Sequence, residues 1–379
     1  MKTLLAALLL ITCSAATVLA DVISIGVSLG LQGRHAEISR LQEKSFRLWE
    51  RDVNRKGGIL GRKVRLIIYD NKSQPEIASQ QYRKLITEQH VDLLFAPYSS
   101  ELTEAVLPLT EMYGYPLIAS GASGDRLWNG TQRYFFGLYT MASRYTAGFL
   151  EMLAKNNIKY LAILYADDAF SLGIANGSKQ MAENMGIKVS VFSGFNKNSK
   201  EFDTFIKKAR GARSDAVMLC AYLDEAVEMR KALKQNGWQP KAYYASVGPA
   251  LKVYQEKLGK NAELSYSSSH WERFNKFPGS EAFYRSFIKA YGAEPSYHAA
   301  NAYAAGEIME RAIRKAGSLN RDKIRDYLSK SSTTTIIGRY GVDKSGRQIK
   351  HFPLIIQIQR GKKEIVWPQG IATAKPVFK

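Results

Sequence analysis

Cysteine is scarce in this chain. Of 379 residues only Cys13 and Cys220 carry a thiol, so no disulfide framework can hold it together and stability has to come from core burial. Cys220 lies in the apolar run "DAVMLCAY", which reads as a strand with a buried, inert thiol. Histidine is scarce too. His35, His90, His270, His298 and His351 are dispersed, and no two stand at metal-ligand spacing. No nucleophile elbow, no "GxxxxGK[ST]" loop and no "HExxH" helix is expected, which argues against the common hydrolase, nucleotide-cleaving and zinc-peptidase chemistries. No metal, no cofactor and no catalytic residue is therefore expected. Beyond the first twenty residues, no uncharged run approaches the ~18 residues that a membrane-crossing helix needs. Acids are outnumbered, 34 against 54 Lys and Arg, for a formal charge of +20. The basic residues are spread over the polar sides of amphipathic runs such as "RKALKQNGWQPK", without zinc-finger spacing or an RNA-binding aromatic signature. Nucleic acid is not an expected partner. The charge suits solubility, anionic ligands or acidic docking surfaces.

The first twenty residues hold what the rest lacks. Lys2 precedes "LLAALLLITCSAATVLA", which ends in small residues before Asp21. This reads as a secretory signal peptide, residues 1–20, cleaved after Ala20. Thr12 ahead of Cys13 does not fit a lipidation site. From Asp21 onward, apolar and amphipathic runs alternate. "VISIGVSLG", "VRLIIYD", "VDLLFAPYS" and "YPLIASG" read as strands, with "RLQEKSFRLWERDVNRKGG", "QPEIASQQYRKLITEQ" and "ELTEAVLPLTEMY" as helices between them. The order restarts after Tyr139-Thr140-Met141-Ala142, with strands "KYLAILYAD", "IKVSVFSGF", "DAVMLCAY" and "KAYYASVG". Near residue 272 it changes to two helices and a β-rich tail. Repeating β-α order predicts an α/β protein with two mostly parallel sheets flanked by helices.

Two segments share one grammar. "LFAPYSSELTE" (94–104) and "PLIASGASGDRL" (116–127) each run an apolar strand into small hydroxyl residues and then into a helix. Helix capping explains such serines. An anion at the helix start explains them as well, because free N–H groups and the positive helix end converge there.

The ordered set of "ISIGVSLGLQGRHAE", "GGILGRKVRLIIYDNKS", "LLFAPYSSELTEAV", "YPLIASGASGDRL", "DAVMLCAYLDEAVEMRKALKQNGW", "YHAANAYAAGEIMERAI" and "TIIGRYGVDKSGRQ" resembles the periplasmic leucine/isoleucine/valine-binding proteins. These are the type I solute-binding proteins of ABC transporters, and the likeness covers the mature chain. It implies two lobes joined by three crossings. Lobe 1 would hold 21–140 plus 272–330 and lobe 2 would hold 141–271 plus 331–379. It implies a monomer in the periplasm that captures a small organic solute (amino acid-like, an aromatic acid or an amide) between the lobes and delivers it to an ABC permease in the inner membrane. The alternative on the same fold is a ligand-sensing partner of a receptor or histidine kinase.

The resemblance also implies ligand contacts. Ser99, Ser100, Gly121, Ala122 and Ser123 match positions that hold a ligand carboxylate, and Gly121 and Ala122 would let the ligand approach the main chain. Phe170 in "YADDAFSLG" and Tyr222 in "LCAYLDE" would close over the ligand from lobe 2. Trp271, Tyr297 and His298 are further candidates. Amino-acid-binding members commonly carry an acid at the position of Val247, to hold the α-ammonium. Its absence here points away from branched-chain amino acids, since an unpaired buried ammonium is costly. Asp125, Asp167 and Asp168 are other acids that could serve.

Overall fold

Short apolar runs become strands covered on both faces, because the amphipathic runs between them fold into helices that pack back onto the sheet. The computed structural model describes residues 22–379; the expected signal peptide and its cleavage site lie outside the described residues. In the first lobe, β1 (Ile23–Leu29), β2 (Val64–Asp70), β3 (Leu93–Phe95), β4 (Leu117–Ala119) and β5 (Phe135–Gly137) form a parallel sheet in the order β2-β1-β3-β4-β5. Helices α1 (Ala36–Arg55), α2 (Pro75–Thr87) and α3 (Ser100–Met112) connect its strands.

The second lobe follows with α4 (Ala147–Lys155), β6 (Tyr160–Ala166), α5 (Ala169–Asn184), β7 (Lys188–Phe195), α6 (Asp203–Gly211), β8 (Ala216–Cys220), α7 (Leu223–Gln235), β9 (Ala242–Ala245), α8 (Lys252–Leu258) and β10 (Ser265–Ser269). The chain then returns through α9 (Ser280–Tyr291), α10 (Tyr297–Ala316), α11 (Arg321–Leu328) and a hairpin of β11 (Ser332–Thr335) with β12 (Gly338–Gly341). Finally β13 (Leu354–Gln359) and β14 (Lys362–Trp367) add an antiparallel pair to the second sheet, giving β14-β13-β10-β9-β8-β6-β7.

Small residues decide how α10 packs. Ala299, Ala302, Ala305 and Gly306 are buried on it, and a Cβ at Gly306 would lie 2.4 Å from the Trp49 ring on α1. The hairpin lies just past the expected division at residue 330. Ile336, Ile337 and Tyr340 join the first lobe's apolar cluster with Trp49 and Phe283. The third crossing therefore comes after β12, on the way to β13.

The crossings are fastened to one another. Thr140 on the first donates its hydroxyl to the His351 carbonyl on the third. His351 Nε2 lies 3.1 Å from Nδ1 of His270 on the second. The Tyr139 ring stacks parallel on His270, centroids 4.2 Å apart. Dispersed along the sequence, these histidines meet in space.

Candidate functional site

Only residues 96–99 separate the end of β3 from the start of α3, so the turn is tight. Ser99 takes a φ of 88°, a strained conformation for a residue with a Cβ, and its N–H donates to the Gly121 carbonyl at 3.1 Å. Its hydroxyl accepts from Leu102 N at 3.3 Å as the N-cap of α3. The Ser100 hydroxyl accepts from Ser123 N at 3.3 Å and Gly124 N at 2.9 Å. The two serine segments are thus laced into one wall. Within it, the Ser123 hydroxyl is buried without a partner.

Tyr98 and Gln42 pack closely against Gly121. A Cβ there would sit 2.5 Å from the Tyr98 ring and 2.8 Å from Gln42 Nε2. Ala122 packs into the apolar cluster beneath the wall with Leu102 and Leu127.

The second lobe answers with aromatics. Asp168 caps α5, accepting from Ser171 N at 2.9 Å, and so places Phe170 in the first turn. Tyr222 stands at the N-terminus of α7, its ring 5.4 Å from Phe170. Tyr145 meets Phe170 edge-on at 5.5 Å. Across the cleft, Tyr98 lies 6.2 Å from Tyr222, and His35 lies 5.3 Å from Tyr98 and 4.9 Å from Tyr222. His298 approaches Tyr98 at 5.4 Å, and its Nδ1 is 3.2 Å from the Tyr139 hydroxyl. The Tyr297 ring lies tilted against His298, centroids 3.9 Å apart. Rings from both lobes therefore share one buried cluster.

Burial sets the charge state here. It pushes His35 down to about 3, with Arg34 and Lys197 adding repulsion, and it pushes His298 down to about 3 as well. Both rings are neutral near pH 7. Their His35 Nδ1 and His298 Nε2 atoms, like Gln42 Oε1 and Ser123 Oγ, are buried without partners inside the protein. Buried polar atoms are normally satisfied, so these four stand out among the polar atoms of the wall and the cleft.

Trp271 and Val247 are both buried. Trp271 packs on Phe283 and donates Nε1–H to Ser280 Oγ at 2.8 Å, which is core packing beside a crossing. Val247 belongs to the same apolar cluster as Tyr98, Phe170 and Tyr222, while its neighbour Ser246 ties the end of β9 to Ala221 through bonds of 3.0 and 2.8 Å. Of the acids, Asp125 accepts from Ser143 N and Asp167 from Lys197 N, whereas Asp168 reaches the cleft. Residues 26–30 do spell "GVSLG", but Ser28 is inside β1 and bonded to Gln81 and Asn71, so the letters form no nucleophile elbow.

Sequence reasoning missed Arg34, His35, Gln42, Tyr98 and Glu225. Tyr98 directly precedes the serine pair, and Arg34-His35 closes the opening segment "GLQGRH". Proximity to those motifs was the available signal.

The model of the periplasmic binding protein family matches residues 22–363. The chain belongs to that family. Its members are solute-binding proteins rather than enzymes. This periplasmic binding protein is 25% identical over 343 residues to the leucine-, isoleucine-, valine-, threonine- and alanine-binding protein of Pseudomonas aeruginosa, covering 89% of this chain and 90% of the relative. Its fold matches a branched-chain amino acid transporter substrate-binding protein from Streptococcus pneumoniae in complex with isoleucine. The TM-score there is 0.83 at 22% identity, over 95% of this chain and 100% of the other. It also matches an ABC transporter solute-binding protein from R. palustris in complex with benzoate, with a TM-score of 0.82 at 16% identity over 94% and 99%. The two-lobed type I fold is thereby shown. No helix among the described residues is long and apolar enough to cross a membrane.

Proposed function

We propose that this protein is the substrate-binding component of an ABC transporter, and that it captures a small organic solute with a flat apolar body and a carboxylate or amide end. The observation that carries this reading is the ring cluster of Tyr98, Phe170, Tyr222 and His35, drawn from both lobes and fringed by the unpartnered atoms of Gln42, Ser123 and His298. Aromatic faces suit a planar body, and the polar fringe suits its hydrogen-bonding end. An α-ammonium is poorly served. Val247 offers no charge, and the acids at the cleft, Asp168 and Glu225, are engaged by Arg34. The solute is held by lobe closure, without chemistry, and the closed form is what an inner-membrane permease would receive.

A thermal-shift screen of the mature chain tests this. Benzoate and substituted aromatic acids, benzamide, urea and the branched-chain amino acids are each added in excess. Binding to the native state at about 100 times Kd adds ~2.7 kcal/mol, a shift of a few degrees. An aromatic acid or amide is expected to raise Tm, and leucine, isoleucine and valine are expected not to. A response confined to those three would overturn the solute class. A flat screen would overturn the reading.

A further inference from the structure

Arg34 stands in the loop between β1 and α1, on the first lobe, yet its partners are on the second. Its Nη2 lies 2.7 Å from Glu225 Oε1 on α7 and 3.4 Å from Asp168 Oδ2 at the cap of α5. Its guanidinium carbon stands 4.6 Å above the Tyr222 ring. The arginine side chain is 12% exposed and that of Glu225 only 1%. Glu225 is fixed in turn by Asn198 N at 2.9 Å. A second charge pair spans the lobes nearby, Lys197 Nζ to Glu101 Oε1 at 2.8 Å.

From this geometry we infer that Arg34 is a positioning residue of the cleft: it clasps the two lobes shut through Glu225 and Asp168 and seats Tyr222 against the solute. The inference rests on the cleft being the solute site. Burying ions in a fixed core is a poor source of stability, because desolvation offsets the Coulomb gain. Across a cleft that opens, the same ions rehydrate when they part. Closed and open forms are then nearly balanced, which is the condition under which a solute can tip the equilibrium. The clasp is also unsaturated. Arg34 Nε and Glu225 Oε2 are buried with no partner inside the protein, and a solute that offers a hydrogen bond to either would complete it. Burial works against the arginine's charge, while Glu225 and Asp168 together hold its pKa above the ordinary value, so the guanidinium stays charged across the physiological range.

The test uses the full mature chain. Cys220 is buried, so cysteines introduced by Glu76→Cys and Lys200→Cys, at exposed positions on opposite lobes, can be labelled selectively. Interlobe distances are measured by electron spin resonance without solute, in low and high salt. The clasp predicts a short-distance population that shrinks in Arg34→Gln and in Glu225→Gln and is partly restored in Arg34→Lys. It also predicts that affinity for the solute found in the screen falls about 10-fold or more in either single variant. The double variant should lose no more than the worse single one, because the two groups act as a unit. Unchanged distances in folded single variants, or strictly additive losses, would overturn the proposal. The distance measurement needs no solute, so it decides the clasp even where the screen fails.

Discussion

At the scale of single residues, the two serine segments divide their labour in a way that neighbouring letters do not reveal. Ser99 caps α3, and Ser100 holds the loop at 123–124. Ser123 has a free, buried hydroxyl. Ser99→Ala is expected to destabilise the protein by about 1 kcal/mol through loss of the cap, seen as a lower urea midpoint. Ser123→Ala is expected to leave that midpoint nearly unmoved and to weaken solute binding; equal destabilisation by both would contradict the division. Gly121→Ala should displace Tyr98 and cost roughly 1–3 kcal/mol as an overpacking change, with loss of binding alongside. The sequence made these positions conspicuous, because small hydroxyl residues after an apolar strand have few uses. It could not assign hydroxyls to partners, since the partner of Ser100 stands 23 residues away. Nor could it show that Tyr98 lies against Gly121.

Elements were more legible than side-chain roles. β1 to β4 of the first sheet lie within the runs read as strands, because parallel strands covered by helices are rich in apolar residues, whereas the three-residue β5 was not among them. The lobe to which the hairpin belongs is hard to read from sequence for a physical reason. Short strands such as "STTT" and "GRYG" carry little pattern of their own, and their lobe is decided by where Ile336 and Ile337, between them, find a core. The pairing of α1 with α10 depends on Gly306 lying under Trp49. Gly306→Ala improves helix propensity by close to 1 kcal/mol, but forces the indole aside. A net loss of roughly 1–2 kcal/mol is expected. A gain in Tm would show that α1 and α10 can separate freely.

For the whole molecule, pH is the informative variable. His35, His298 and His351 are held by burial at about 3, 3 and 4, and His270 well below its ordinary value. Unfolded, each takes up a proton below about pH 6.5. Between those limits the unfolded chain binds more protons, so stability falls as pH drops, by ~2 kcal/mol per histidine from pH 6.5 to 5. Glu307, raised to about 7 by burial, runs the other way, since its folded form takes up the proton first. It offsets about one histidine, and Asp168, also raised by burial, offsets a little more. The net expectation is a marked drop in Tm between neutral pH and about pH 5, measured by calorimetry. A flat or rising Tm would mean that these rings are not buried neutral.

Three crossings that touch at one place also constrain movement. Thr140, His270 and His351 tie the three crossings to one another, so a movement of one connection is passed to the other two. On the proposed mechanism, opening is then a concerted swing of the lobes. Any partner that recognises the two outer faces therefore reads a single angle, and that angle reports whether the mouth at Arg34 is shut.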